Sequence, residues 1–375
     1  MRSAVLFLAG VLAPALAAVD RLPDAPTAAK RGAVNGCLAR MPAGVQVAVA
    51  LVQADSVRYL GAERTAEGVR PLENRAAVFQ IGSITKVFTA TLFAREVVAG
   101  RLGLDDTVAS RLPFPLKESG RGGVPMTLVQ LASHTSGIAH HQPPGLGLHA
   151  VLHFYWNEPW RDYDRARFEK YLRKDLRLAS TPGTAYGYSN VGMSLLGLVL
   201  SLRTGEPYEK MLQEGIFQPL GMPSSTTDLA PVRDRVVTGR KTDGAPFPNQ
   251  EMDALAPSGG IYSSAEDLAR FARAEIDGGD AAIRLTQKPV FTIAEGEEVA
   301  LGWHLYRWVQ GWRALNHNGA IGGYTASVTV DPASRCAVVV LSNVMNEGDY
   351  GEAVRALGRT LMKQLEKAAA ARIVK

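Results

Sequence analysis

The 375-residue chain has only two cysteines, no run of like charges, and no uncharged apolar stretch of membrane-spanning length beyond its first residues. Each scarcity removes a class of protein. Cys37 and Cys336 cannot build a disulfide-dense scaffold, and neither stands in the Cys-x-x-Cys or helix-start setting that favours a thiolate nucleophile. Whether they pair or remain buried thiols stays open, because pairing depends on geometry that sequence does not carry. The 41 Lys plus Arg against 36 Asp plus Glu give a net charge of +5, scattered along the chain, which argues against a nucleic-acid groove. Without a later apolar span, no stable membrane insertion is expected. There is no Gly-x-Ser-x-Gly elbow of the α/β-hydrolase kind, no His-Glu-x-x-His, and no internal repeat.

What is present is an ordinary globular composition, 46% hydrophobic and 21% charged, enough to bury a large core or two linked ones. Met1 and Arg2 precede an apolar run from Ala4 to Ala13, then Pro14 and the small residues Ala15-Leu16-Ala17-Ala18. That layout predicts a secretory signal peptide over residues 1–18, cleaved near Ala17 or Ala18, and a protein of residues 19–375 that is periplasmic or secreted. The run is too short for a membrane helix.

Along the rest of the chain the β signal lies at the two ends. Val45 to Val52 and Val57 to Leu60 read as a hairpin; Leu301 to Trp308, Trp312 to His317, Tyr324 to Val330 and Cys336 to Leu341 read as strands separated by turn residues. Between them the periodicity is helical. Ile84 to Ala99 carries Val87, Phe88, Leu92 and Phe93 at helical spacing and stops at Gly100; Thr127 to Gln130 resembles a capping box; Ser263-Ser264-Ala265-Glu266 opens another helix ending near Gly278. Ala28 to Leu38 and Glu352 to Leu365 add helices at the ends. The pattern predicts an α+β fold. An α/β sandwich lobe, about 19–81 and 286–375, holds one antiparallel sheet from both termini, and a mainly helical lobe, about 82–285, is inserted in it. The seam is a natural cleft.

Three polar clusters fall in order along this frame. Ser83-Ile84-Thr85-Lys86 puts a hydroxyl and an amine at i and i+3 on one helical face, where a desolvated amine can take the serine proton and the helix start offers N–H groups to an oxyanion. Alone, the motif is weak, and a capping serine with a solvated lysine is the commoner explanation. Tyr188-Ser189-Asn190 stands at a loop-to-helix junction, where a phenol can relay a proton and an amide can orient substrate; Tyr155-Trp156-Asn157 has the same letters among bulky aromatics typical of packing. His317-Asn318-Gly319 ends a β run before Ala320, as a strand that binds substrate by its edge or as a plain turn.

With these three clusters, Leu131-Ala132-Ser133-His134-Thr135-Ser136-Gly137, Pro182-Gly183-Thr184 through Asn190, and Ser258-Gly259-Gly260 through Leu268, the sequence resembles the penicillin-recognising serine hydrolases. Within them it resembles the branch of class C β-lactamases, D-alanyl-D-alanine peptidases and β-lactamase-like esterases, over nearly the whole chain after the leader. The resemblance implies a β-lactamase/transpeptidase-like fold and an acyl-enzyme on Ser83, with Lys86 and Tyr188 sharing the proton traffic. It implies that Asn190, His317, Gly319 and Ala320 contact substrate, and that the N–H groups of Ser83 and Ala320 form the oxyanion hole. It implies no metal and no organic cofactor. The substrate would be a small molecule or short peptide: a β-lactam, a D-amino-acid amide or peptide, or, in the alternative, a carboxylic ester. One position departs from the branch. Where class C β-lactamases carry a lysine, His317 is a cation only in part near neutral pH, which moves the substrate question away from strong β-lactamase activity.

Two rival readings remain. His134, His140, His141, His149 and His153 lie close in sequence and raise a metal hydrolase, but carboxylate ligands at matching spacing are lacking. A protein that kept the fold without turnover would be a binding protein, against which stands the full set of groups needed for acylation. No sequence feature sets the oligomeric state.

Overall fold

The computed structural model describes residues 27–53, 56–139, 163–307 and 313–373. The expected leader, the Tyr155-Trp156-Asn157 triplet and four of the five clustered histidines (140, 141, 149 and 153) lie outside them. Among the described residues, no helix is long and apolar enough to cross a membrane, and no three His, Cys, Asp or Glu side chains are grouped to hold a metal.

Both ends of the chain feed one antiparallel sheet. Helix α1 (Ala28–Leu38) leads into β1 (Gln46–Gln53), β2 (Ser56–Arg64), β3 (Val69–Pro71) and a short β4 (Val78–Gln80). After the central region come β5 (Tyr262–Ser264), β6 (Phe291–Ala294), β7 (Glu297–Val299), β8 (His304–Arg307), β9 (Arg313–Ile321), β10 (Tyr324–Asp331) and β11 (Cys336–Ser342). The large sheet runs β6-β7-β8-β9-β10-β11-β1-β2-β3, so the two termini meet where β11 pairs with β1, Val49 opposite Val340. The β4–β5 pair stands apart as a two-stranded ribbon.

Period-two alternation gives each central strand two buried faces. Val47, Val49 and Leu51 of β1, with Val338 and Val340 of β11, share one core with Leu38 of α1 and with Leu357 and Leu361 of the closing helix, Tyr350–Ile373. Ala48, Ala50, Val52, Ala337, Val339 and Leu341 point the other way, into the main core. Burial on both sides explains why Cys336-Ala337-Val338-Val339-Val340-Leu341 is a continuous apolar run, unlike the alternation of a half-wet strand. Both cysteines are free thiols in or beside the first core, and burial pushes Cys37 up to about 12.

Within the central region stand α2 (Thr85–Val98), α3 (Leu128–Ala132), α4 (Arg165–Lys174) and α5 (Asn190–Thr204). Thr127 and Gln130 complete the capping box of α3, Ser189 caps α5, and Gly205 ends it at φ +75. Helix α6 (Ala265–Asp277), capped by Ser264 and stopped by Gly278 at φ +58, departs from its neighbours in sequence. It packs on β1 and β11, because Leu268, Phe271 and Ala272 face the same core as the inward side of those strands. The sandwich therefore takes one of its layers from inside the stretch read as the helical lobe.

Candidate active site

The short β4 strand ends at Gln80, and after Ile81 the chain turns at Gly82 into a single 3-10 turn, Gly82–Ile84, that runs straight into α2. Glycine is required at 82 for two reasons. Its φ is +52, and a Cβ there would lie 2.8 Å from the Ala320 amide nitrogen. Ile84, Val87 and Phe88 go into the core, while Ser83 is left half-buried at the head of the helix.

Lys86, one turn on, has no exposed surface. Its Nζ lies 2.9 Å from Ser83 Oγ and donates to the Ser258 carbonyl at 2.6 Å. Both partners are neutral oxygens, so no carboxylate offsets the loss of water. Burial accordingly pushes the Lys86 ammonium well below its usual pKa, which favours the amine far more than in a solvated lysine.

Tyr188 comes to the same point from the loop ahead of α5. Its phenol bonds to Ser83 and is raised above its ordinary pKa by burial, an effect that the Ser83 bond partly offsets. The Lys86 Nζ is 4.8 Å from the centre of its ring. Hydroxyl, amine and phenol thus converge from residues 83, 86 and 188. Asn190 stands half-buried in the first turn of α5, just past the Ser189 cap whose Oγ accepts the Gly192 N–H at 3.0 Å.

The third wall is β9. Its first residues pair with β8, Asn316 opposite His304, but 317–321 run past that pairing and lie along the Gly82–Ile84 turn. A Cβ on Gly319 would sit 1.9 Å from the Ile81 oxygen and 3.4 Å from the Ser83 nitrogen, so no other residue fits. Ala320 follows, exposed. His317 is 3% exposed. Its Nδ1 is 2.8 Å from the Asn318 carbonyl, which can only accept, so Nδ1 carries the proton; Nε2 is buried without a hydrogen-bond partner. Burial, then the neighbouring His304 and Lys86, hold the ring well below the usual histidine pKa. The part-time cation expected from the sequence is therefore neutral at neutral pH, because the fold removes it from water beside two basic groups.

Four features had weak or no signal in the sequence. Gly82 and the Ser258 carbonyl adjoin residues already singled out. Tyr186 bonds through its hydroxyl to His304 Nε2 at 3.2 Å, and Glu297 approaches His304 Nδ1 at 3.5 Å, a chain linking the Tyr188 loop to the sheet beside His317. His134 lies under Tyr188, their ring centres 4.4 Å apart. Two letters before Tyr188 would have suggested Tyr186; nothing in the sequence pointed to His304.

Comparison with known proteins bears on the family and the fold. The Beta-lactamase family model matches residues 34–361. Penicillin-binding protein 4 of Amycolatopsis lactamdurans is 31% identical over 289 residues, 71% of this chain and 72% of that protein. The D-alanyl-D-alanine-carboxypeptidase/endopeptidase AmpH of Escherichia coli is 32% identical over 214 residues, 57% of this chain and only 52% of its own length. In fold, the octameric penicillin-binding protein homologue from Pyrococcus abyssi superposes with a TM-score of 0.75 at 24% identity, covering 89% of this chain and 77% of that one. The class C β-lactamase from Rhodobacter sphaeroides gives 0.74 at 22% identity over 90% and 99%. A fold with both termini in one sheet and a serine, a buried amine and a phenol at its seam is thus joined to a family match over most of the sequence: the chain belongs to the Beta-lactamase family of serine hydrolases.

Proposed function

We propose that the protein hydrolyses an amide or ester bond through an acyl-enzyme on Ser83, with Lys86 as the base of acylation and Tyr188 as the group that protonates the departing atom. In acylation the Ser83 Oγ–carbon bond forms as the hydroxyl proton passes to the Lys86 amine. The carbon–nitrogen or carbon–oxygen bond then breaks, and its electron pair takes a proton through Tyr188, which Lys86 restores. Water next attacks the acyl carbon, gives up its proton to the same pair of groups, and Oγ leaves as the hydroxyl. The N–H groups of Ser83 and Ala320 receive the oxyanion, with Gly82 and Gly319 allowing the two backbones to approach, and Asn190 holds the acyl side. The observation that carries this reading is Lys86: a fully buried amine 2.9 Å from a half-exposed hydroxyl, with only neutral oxygens as partners.

The names of the sequence relatives, a penicillin-binding protein and a D-alanyl-D-alanine carboxypeptidase, favour a β-lactam or a D-amino-acid amide or peptide as substrate. A second reading, a carboxylic ester, is supported by His317, since a neutral imidazole gives a substrate carboxylate no fixed cation. The proposal includes export to the periplasm or beyond by the 1–18 leader. It also includes a division into a sandwich lobe, about 19–81 with 286–375, and a mainly helical lobe, about 82–285, of which α6 is lent to the sandwich.

The test is a matched kinetic panel of a β-lactam, a D-amino-acid dipeptide and a short-chain ester, run on the wild type and on Ser83→Ala. Turnover of the productive substrate is expected to vanish in the variant, and intact-protein mass should show the acyl adduct only on the wild type. Undiminished turnover by Ser83→Ala would end this reading.

A further inference from the structure

We infer that His134 is the positioning residue of Tyr188, gripping the chain on both sides of the phenol and bracing its ring from beneath; this rests on the role proposed for Tyr188. Three separate contacts carry it. The His134 carbonyl accepts the Gly187 N–H at 2.7 Å. The His134 Nδ1 accepts the Ser189 N–H at 3.2 Å. Between those two anchors the imidazole lies against the Tyr188 ring, centres 4.4 Å apart and planes inclined by 40°. Residues 187 and 189 are thus both bonded to one residue, 53 and 55 positions earlier, and the residue between them is the one whose hydroxyl bonds to Ser83.

Two further observations show that the grip is built. His134 is one of only two non-glycine residues with positive φ among the described residues, at +59, which turns its carbonyl and its side chain toward the same loop. Its neighbours extend the support: the Thr135 carbonyl accepts Gly183 N–H and the Gly137 carbonyl accepts Ala179 N–H, each at 2.7 Å. Ser189, held by Nδ1, is itself the cap of α5. A bond to its N–H therefore fixes where the helix begins as well as where the phenol points.

The reason such a brace matters is distance. Proton transfer needs donor and acceptor within hydrogen-bond reach, and a misplacement of about 1 Å can cost on the order of 100-fold in rate. The contacts described for His134 run to residues 187–189, the segment that carries Tyr188, so its effect on the rate should pass chiefly through that phenol.

Four variants test this on the full chain with whichever substrate the wild type turns over. His134→Gly keeps positive φ and removes ring and acceptor. His134→Asn tolerates positive φ and offers Oδ1 where Nδ1 stood. Tyr188→Phe and the double variant His134→Gly/Tyr188→Phe complete a cycle. The expected result is a kcat about 10- to 100-fold lower in His134→Gly with KM changed less than about threefold, recovery to within about threefold of wild type in His134→Asn, and no further loss when His134→Gly is added to Tyr188→Phe. Multiplying losses in the double variant, or a raised KM with unchanged kcat, would overturn the inference. So would an asparagine variant as slow as Tyr188→Phe, which decides alone if the glycine variant does not fold. A Tyr188→Phe that keeps full turnover removes the role of Tyr188 and the inference with it, whereas a slow Tyr188→Phe with multiplying losses removes the inference only.

Discussion

Lys86 and Glu275 lie on two helices that share one core, and neither has any exposed surface. Burial drives both toward their neutral forms, Lys86 well below the ordinary ammonium range and Glu275 up to about 8. Their surroundings then part. The Lys86 Nζ lies beside a hydroxyl of a residue that is partly open to solvent. The Glu275 carboxyl accepts from Gln287 Nε2 at 2.7 Å, the same amide bonds the Glu275 carbonyl, and Trp303 also bonds the carboxyl, so its partners are neutral side chains with no reactive atom among them. Desolvation alone perturbs a group; chemistry needs a perturbed group next to a reactive atom at an opening.

The strongest way to break that contrast is to remove the amine. Lys86→Met conserves length and apolar volume, and turnover is expected to fall by at least about 100-fold, the usual weight of a general base. Thermal unfolding should show the variant as stable as the wild type or more so, because no ion pair is lost and a desolvated amine is replaced. The sign with pH is definite. The unfolded chain binds a proton at Lys86 below about 10.5 that the folded chain refuses until much lower pH, so the wild type should gain on the variant as pH rises. In kinetics, kcat/KM should show no inflection near the ordinary lysine pKa and should fall only as pH drops through the depressed one.

A smaller effect is expected where packing, rather than charge, sets the site. At Gly319 an added methyl meets the Ile81 oxygen at 1.9 Å, which forces β9 away from the Gly82–Ile84 turn. Gly319→Ala should lose most turnover and about 1–3 kcal/mol of stability by denaturant titration, the usual cost of overpacking.

Much of this contrast was legible beforehand, and the part that was not has a physical reason. Strands β1 and β11 announce themselves as Val- and Ala-rich runs, and caps such as Thr127, Ser264 and Gly278 mark helix ends, because these depend on neighbours in sequence. Ser83 and Lys86 were readable for the same reason, being one helical turn apart. The β4–β5 ribbon was not, since three residues per strand carry no periodicity and their pairing spans 78 to 264. His134 meets the Tyr188 loop across 53 to 55 positions, and His304 meets Tyr186 of that loop across 118. The neutrality of His317 could not be read either, because it comes from two basic neighbours and a dry setting that only the folded chain assembles.

Glu275→Gln offers the mildest and most discriminating change. A carboxyl raised to about 8 in the folded state and near 4.5 in the unfolded state keeps its proton longer when folded. Between those two values the folded chain binds more protons than the unfolded one, so stability must fall as pH rises through the window and level off above it. The loss is of the order of a few kcal/mol at most by pH 9. Glutamine carries the same oxygen acceptor for Gln287 and never ionises. The variant should therefore match the wild type near pH 5, exceed it increasingly toward pH 9 in denaturant midpoints, and turn over substrate at the same rate throughout. Equal slopes of stability against pH in the two proteins would mean that Glu275 is already ionised and paired, and a fall in kcat would tie this closed carboxyl to the site after all.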